Sequence, residues 1–192
     1  MGQLASSCGS AAAVVLGPGL LDPEGVRELL AAVLPRVDQG CVVLDALALT
    51  ALSGTPALLE PCRGRAVLTP NSGELAALLD GQELTGQDAA RAVAERYGAV
   101  VAARGHVVSP DGRAWRDEAG GIGLGTSGSG DVLAGVVGGL LARGCTSEQA
   151  AVWGQYLHAA AGDRLAARLG RLGFLARELL EELPLVLAGL RA

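Results

Sequence analysis

Glycine, serine and one carboxylate crowd into a short stretch of the chain, GLGTSGSGDVLAG, from Gly123 to Gly135. The stretch then turns apolar with a period near 3.6 residues, which predicts a helix over 131–142. Backbone N–H groups are unpaired at a helix start, and glycines allow a phosphate to come close to them. Asp131 has two possible roles here: it caps the helix, or it takes a proton from a substrate hydroxyl beside a bound phosphate.

A second polar pair stands in LTPNSGELAALL, residues 68–79, where Asn71 and Glu74 are three positions apart. The pattern places them at a strand-to-helix turn, where an amide and an acid at this spacing form a capping arrangement. The alternative is functional, with Glu74 holding Mg²⁺ through water beside phosphates.

Two more stretches place small or acidic residues after buried strands. In VVLGPGLLDPEG, Gly17 and Gly19 flank a proline and predict a tight turn whose backbone is open to a ligand. Asp22 stands where a dinucleotide fingerprint has its third glycine, so that motif is excluded. In VVLDALALTAL, Asp45 ends a strand at the edge where α/β sheets bind ligands.

Short apolar runs alternate with longer amphipathic ones along the chain. This alternation predicts a single α/β domain over 1–192 with a mostly parallel sheet and helices on both faces. We expect strands at 11–16, 41–46, 65–71 and 99–104, a hairpin at 106–115, and helices at 23–34, 73–79, 87–97, 131–142, 147–168 and 175–190.

Composition excludes several classes of protein. The net charge is −5 and the 15 basic residues are all arginines without a basic stripe, which argues against nucleic acid as a partner. Four cysteines without a CxxC pair and two histidines make a zinc site unfavourable and indicate reduced thiols in the cytoplasm. No apolar run reaches membrane-spanning length without glycine, proline or charge, so we expect a soluble protein without a membrane partner.

The motifs together carry more information than each alone. In order they are GPGL, VLDALAL, LTPNSGEL, an Arg-Gly pair before a Pro-Asp-Gly hairpin, GSGDVLAG and YLHAAAGDRLA. This order resembles the NAD(P)H-hydrate dehydratases of the ribokinase-like fold, from about Val14 to about Pro184. The resemblance implies a three-layer α/β/α domain that removes water from hydrated NADH or NADPH at the expense of ADP, or of ATP in many eukaryotes, with Mg²⁺.

The resemblance also implies residue roles. Asp131 would be the base and would contact the hydrate, and the backbone of Gly128 and Gly130 would form an anion hole for the transferred phosphoryl group. The remaining positions form two sets: Gly17, Gly19 and Asn71 for the hydrate, and Arg104, Gly105, His106, Val107, Val108 and Ser129 for the adenine nucleotide. His158 is expected to pack or to hydrogen-bond rather than to catalyse.

The sequence departs from the family at named positions. Asn71 replaces a histidine, RGHVVSPDG replaces Lys-Gly-x-x-Thr, and LDALAL lacks the second aspartate of the family motif. Few residues precede the GPG turn, so we expect N-terminal strands of the family's sheet to be absent. Two alternatives stay open: a ribokinase-like kinase for a vitamin or sugar alcohol, favoured by Asn-x-x-Glu, and a nucleotide-binding protein without catalysis. We also expect a homo-oligomer, since a shortened sheet exposes an edge.

Overall fold

The computed structural model describes residues 7–190, and within them one sheet runs in the order β1-β2-β3-β4-β5-β6. The first four strands are parallel, and the last two pair antiparallel with the strand before them. The mostly parallel sheet is therefore confirmed. Its strands are β1 Ala13–Leu16, β2 Cys41–Leu44, β3 Ala66–Leu68, β4 Val100–Ala103, β5 His106–Val108 and β6 Ala114–Arg116.

The helices expected from periodicity are present, with ends that differ by one or two residues. Leu47–Leu52 is a helix that the sequence did not indicate, because six residues are too few to show a helical period. In chain order the helices are α1 Pro23–Val33, α2 Leu47–Leu52, α3 Ser72–Leu78, α4 Gly86–Tyr97, α5 Ser129–Ala142, α6 Ser147–Leu169 and α7 Ala176–Gly189, with 3₁₀ turns at Leu34–Arg36, Pro56–Cys62 and Ile122–Gly125.

Alternate strand residues face opposite layers of helices. Val42 and Leu44 belong to the core shared with α1 to α4, whereas Val43 packs in a second core against α5 and α6. The strands read as continuous apolar runs because helices cover both faces of the sheet. A third cluster of buried apolar residues packs α6 against α7, away from the sheet. The molecule is a three-layer α/β/α structure.

The carboxyl ends of the four parallel strands meet at one edge of the sheet. Gly17 follows β1, Asp45 follows β2, the 69–71 segment follows β3, and Arg104 follows β4. Arg104 and Gly105 have φ angles of 47° and 84° and form the two-residue turn between β4 and β5. The pairing of β5 with β6 confirms the expected hairpin at 106–115. The hairpin formed by β4 and β5 precedes it along the chain.

Gly17 is fixed by a close approach between the ends of β1 and β2. A Cβ at Gly17 would lie 1.7 Å from the Asp45 carbonyl oxygen, and its φ of 122° disfavours any other residue. Gly19 also has a positive φ, 74°, but a Cβ there would meet nothing within 4 Å. Gly17 therefore allows Asp45 to lie close to the end of β1. Gly19 leaves open space above this edge of the sheet.

No helix in the part of the chain that the structure describes is long and apolar enough to cross a bilayer.

Replacing Gly17 with alanine should destabilise the fold far more than replacing Gly19. Gly17→Ala forces the β1 and β2 ends apart, and we expect it to lower the free energy of unfolding by about 3 kcal/mol or more. Gly19→Ala carries only backbone strain, about 1 kcal/mol. Urea denaturation of both variants measures the difference, and equal losses would contradict this account of the β1–β2 contact.

Candidate active site

The start of α5 has no side-chain cap. Its N-cap is Gly128, in the left-handed region with φ 86°, and no side chain accepts from the first turn. The N–H of Ser129 donates to the Thr126 carbonyl at 3.2 Å. The N–H groups of Gly130 and Asp131 make no hydrogen bond to any residue in 7–190. They are open donors at the positive end of a 14-residue helix, which suits an anion.

Asp131 is the third residue of α5 and is exposed. Its carboxylate makes no hydrogen bond or ion pair with the described residues, so it does not cap the helix in this structure. The carboxylate therefore stands free beside the open N–H groups. This arrangement leaves Asp131 available to accept a proton from a bound molecule.

Asp45 lies under the start of α5 and is 4% exposed. Its Oδ1 accepts a hydrogen bond from Thr69 Oγ1 at 2.8 Å, and its Oδ2 lies 3.8 Å from where a Cβ on Gly130 would be. Burial, together with the charges of Glu74 and Asp131, raises the pKa of Asp45 to about 6 against the lowering effect of the hydrogen bond from Thr69. The carboxylates of Asp45, Glu74 and Asp131 thus lie near one another at the carboxyl edge of the sheet.

Asn71 and Glu74 form the capping box that their spacing indicated. Asn71 Oδ1 accepts from the Glu74 N–H at 3.0 Å, and Glu74 Oε2 accepts from the Asn71 N–H at 2.9 Å. Each side chain keeps a second polar atom for a ligand. No group of three His, Cys, Asp or Glu within 7–190 is arranged to hold a metal. Glu74 with its neighbours fits Mg²⁺ that is bound mainly by phosphates and water.

His158 on α6 holds the start of α5. Its Nε2 lies 2.8 Å from Ser129 Oγ and 3.0 Å from the Ser129 carbonyl oxygen, both within hydrogen-bonding distance. Burial lowers the pKa of His158, which keeps the ring neutral at pH 7. The N–H of Ser129 is thus engaged, and the open backbone donors are those of its neighbours Gly130 and Asp131. His158 hydrogen-bonds, as the sequence indicated.

Asp163, further along α6, fixes the loop that leads into α5. Its Oδ2 accepts a hydrogen bond from the Gly120 N–H at 3.1 Å. Asp163 and His158, both on α6, therefore hold this loop and the start of α5 that follows it.

The residues expected to bind nucleotide lie on two faces of the β4–β5 hairpin, because neighbouring strand residues point to opposite sides. Arg104 and His106 line a cleft of about 420 Å³ with Asn71, Ser72 and Thr85. Arg104 Nη1 donates to Ser72 Oγ at 2.6 Å. Val108 is buried in the core and its side chain lines neither cleft nor cavity.

Gly105 and Val107 face the other way, towards α6. There they line a cavity of about 490 Å³ together with Trp115, Asp117, Trp153, Gln155 and Tyr156. Gln155 precedes His158 by three residues on α6, a rise of about 4.5 Å along the helix. Along α6, the cavity therefore lies about one helical turn from the contact between His158 and Ser129.

No local sequence signal predicts this cavity, because its walls come from segments near 115 and 155. The scarcity of aromatic residues, 3% of the chain, is the feature that could have drawn attention to it.

The fold and this site define a ribokinase-like α/β protein. A ribokinase-like superfamily protein from Enterococcus faecalis superposes with a TM-score of 0.81 at 23% identity, over 97% of this chain and 66% of that chain. The ADP/ATP-dependent NAD(P)H-hydrate dehydratase from Bacillus subtilis, co-crystallised with ATP and Mg²⁺, superposes with a TM-score of 0.76 at 25% identity, over 96% of this chain and 69% of that chain.

Sequence comparison gives the family. The family model for NAD(P)H-hydrate dehydratase matches residues 1–185. An ADP-dependent (S)-NAD(P)H-hydrate dehydratase from Xanthomonas campestris is 43% identical over 184 residues, which are 91% of this chain and 61% of that relative. The chain belongs to the NAD(P)H-hydrate dehydratase family, and it spans about three-fifths of the length of this relative.

The buried Asp45 carboxylate should cost stability at neutral pH. Its folded pKa of about 6 lies above the ordinary value of 3.8, so the folded state binds the proton more tightly than the unfolded state. The cost is present above pH 6 and disappears as the pH falls towards 4. We expect Asp45→Asn, whose amide oxygen still accepts from Thr69, to gain up to about 3 kcal/mol at pH 8.

Urea denaturation between pH 4 and pH 8 tests this. The gain should shrink towards zero at the acid end, and exposed Asp38→Asn should show no such trend. A gain for Asp45→Asn that does not change with pH would contradict the assignment of the raised pKa to this carboxylate.

Proposed function

We propose that this chain catalyses the ADP-dependent dehydration of hydrated NADH or NADPH. The observation that carries the proposal is the unpaired Asp131 carboxylate beside the open N–H groups of α5, in a member of the dehydratase family. The Xanthomonas relative's name states the same reaction. A carboxylate next to an anion site is the pair of groups that phosphoryl transfer to a hydroxyl requires.

The nucleotide base would enter the cavity that Gly105 and Val107 line, with its phosphates at the start of α5. In support of this placement, Gln155, which lines the cavity, and His158, which contacts Ser129, are three residues apart on α6. Gly128 and Gly130 allow the phosphates to approach the backbone, and Ser129 contributes by anchoring that backbone to His158. Arg104, from the opposite face of the hairpin, adds positive charge at the same sheet edge. His106 lines the adjoining cleft and Val108 supports the strand.

The hydrate would bind on the other side of Asp131, over the carboxyl ends of β1 to β3. Gly19 leaves open backbone there, Gly17 brings the strand ends together, and Asn71 retains a side-chain nitrogen for a contact. In this arrangement the substrate hydroxyl would lie between Asp131 and the phosphate site.

The proposed reaction balances as phosphorylation followed by elimination. Asp131 takes the proton of the hydrate hydroxyl, and the oxygen attacks the β-phosphorus of ADP while AMP leaves. The N–H groups of Gly130 and Asp131 bind the charge that develops on the phosphoryl oxygens. The new C–O–phosphate bond then breaks, a proton is lost from the neighbouring ring carbon, and the double bond of the reduced nicotinamide returns with release of phosphate.

Magnesium would neutralise phosphate charge when bound, with Glu74 the residue placed to hold it through water. The protein groups that act on the hydroxyl and on the phosphoryl oxygens remain those of α5.

The comparisons do not favour the kinase alternative, since the family model and the Xanthomonas relative are dehydratases. A kinase would share the first half of the proposed reaction and release the phosphorylated alcohol. The two activities differ in one product, so a single assay separates them.

Replacing Asp131 with asparagine should abolish the repair reaction while leaving nucleotide binding. Loss of the base should slow the return of reduced-nicotinamide absorbance, measured with hydrated NADH, Mg²⁺ and ADP or ATP, by about a hundredfold or more. ADP should still raise the melting temperature. Asp88→Asn is the matched control, because Asp88 is exposed and also third in its helix, α4.

Equal rates for Asp131→Asn and the native chain would overturn the proposed role of Asp131. Consumption of ADP without recovery of absorbance in the native chain would indicate a kinase instead.

As part of the proposal we place the chain in the cytoplasm, where its four free thiols stay reduced, and we propose that it is a homo-oligomer. β1 ends the sheet of the described residues with Val15 40% exposed, and α7 exposes Leu180 and Leu185 by more than half. These surfaces favour association. Sedimentation velocity on the full chain should show a species larger than the monomer, and a monomer at micromolar concentration would contradict it.

A further inference from the structure

The cavity between the hairpin and α6 collects most of the aromatic residues of a chain that has few. Both tryptophans, Trp115 and Trp153, line it together with Tyr156, one of the two tyrosines. The rings of Trp153 and Tyr156 meet edge to face with centroids 5.8 Å apart, and Trp153 is still 46% exposed. Exposed aromatic faces around a cavity of about 490 Å³ suit a flat heterocycle.

Two hydrogen-bond acceptors on the wall of this cavity have no partner. Asp117 Oδ2 and Gln155 Oε1 are both buried, and neither makes a hydrogen bond with the described residues. Gln155 as a whole is only 8% exposed. Buried polar atoms in native proteins nearly always have partners, because an unsatisfied one costs stability. The two atoms therefore indicate a ligand that brings donors.

Asp117 is held in place by other contacts. The Asp117 N–H donates to the Gly105 carbonyl at 2.8 Å, and Asp117 Oδ1 accepts from the Ala119 N–H at 2.9 Å. Gln155 lies on α6, and its Nε2 is 3.8 Å from where a Cβ on Gly105 would be. Asp117 is thus fixed through one oxygen while the other has nothing to accept from.

We propose that Asp117 and Gln155 make this site select a nucleotide whose base carries an exocyclic amino group, as adenine does, over a base with a carbonyl there. An amino group offers two N–H donors, which match two acceptors. The 6-oxo group of hypoxanthine places a third acceptor against them, and the single N1–H beside it can satisfy at most one of the two. This selection rests on the proposed nucleotide-dependent function and adds the residues that choose the base.

The test compares ADP with IDP, which differ at the base alone. Because both tryptophans line the cavity, tryptophan emission reports binding there, and the melting temperature reports binding anywhere on the full chain. We expect IDP to bind at least about tenfold more weakly than ADP. Asp117→Asn keeps the shape and the Ala119 bond but adds a donor, and it should remove most of that preference.

Gln155→Leu is the second variant, and it should weaken ADP binding while leaving IDP binding nearly unchanged. Asp38→Asn is the matched control, with the same loss of charge on an exposed loop, and it should keep the native preference. Circular dichroism confirms that each variant is folded.

Three other outcomes would each overturn the proposal. Equal affinity for ADP and IDP, or the same response in Asp117→Asn and Asp38→Asn, would remove these residues from base selection. An ADP-dependent rise in melting temperature without a change in tryptophan emission would place the base elsewhere, while the proposed function stands. No binding of ADP or ATP by either readout would end the proposed function, and this selection with it.

Discussion

The uncapped start of α5 is the constraint around which the site is arranged. Gly128 in the left-handed region turns the chain into the helix without supplying a side-chain acceptor, so the N–H groups of Gly130 and Asp131 stay open. A helix start of this kind is stable only if its backbone is held from elsewhere. Here His158 Nε2 lies within hydrogen-bonding distance of both the side chain and the carbonyl of Ser129, and Asp163 fixes the loop before it. The helix α6 thus supports the proposed anion site without supplying any of its donors.

The same region carries a concentration of negative charge. Asp45 is buried with a raised pKa, its one side-chain bond comes from a neutral hydroxyl, and Glu74 and Asp131 act on it unfavourably. An arrangement that costs stability and places carboxylates near a helix start is more typical of a functional site than of a structural one. In the proposed complex, magnesium would bring positive charge to these carboxylates, in addition to that of Arg104 at the same sheet edge.

Much of the fold followed from local patterns, because apolar periodicity and capping signals act within a few residues. The parallel strands, the longer helices and the Asn71–Glu74 capping box were all predictable in this way. The short helix α2 was not, since six residues cannot establish a period. For Asn71 and Glu74 the capping role and the proposed binding role use the same two side chains, so the sequence pattern alone does not separate them.

The contacts that build the site cross large sequence distances and left no local signal. His158 meets Ser129 across 29 residues, and Asp117 and Gln155 share a cavity wall although 38 positions separate them. The motif order predicts which residues lie near the proposed reaction. It did not show that strand alternation divides Arg104 to Val108 between two faces, or that Ser129 is already engaged.

The central claim is that the open N–H groups of α5 bind the phosphates of the adenine nucleotide. A crystal structure of the full chain with ADP tests it most directly. The account predicts phosphate oxygens about 2.7–3.2 Å from the backbone nitrogens of Gly130 and Asp131, with Asp131 free to face the hydrate. Phosphates bound instead in the cleft beside Arg104 and Ser72, with the start of α5 uncontacted, would contradict it.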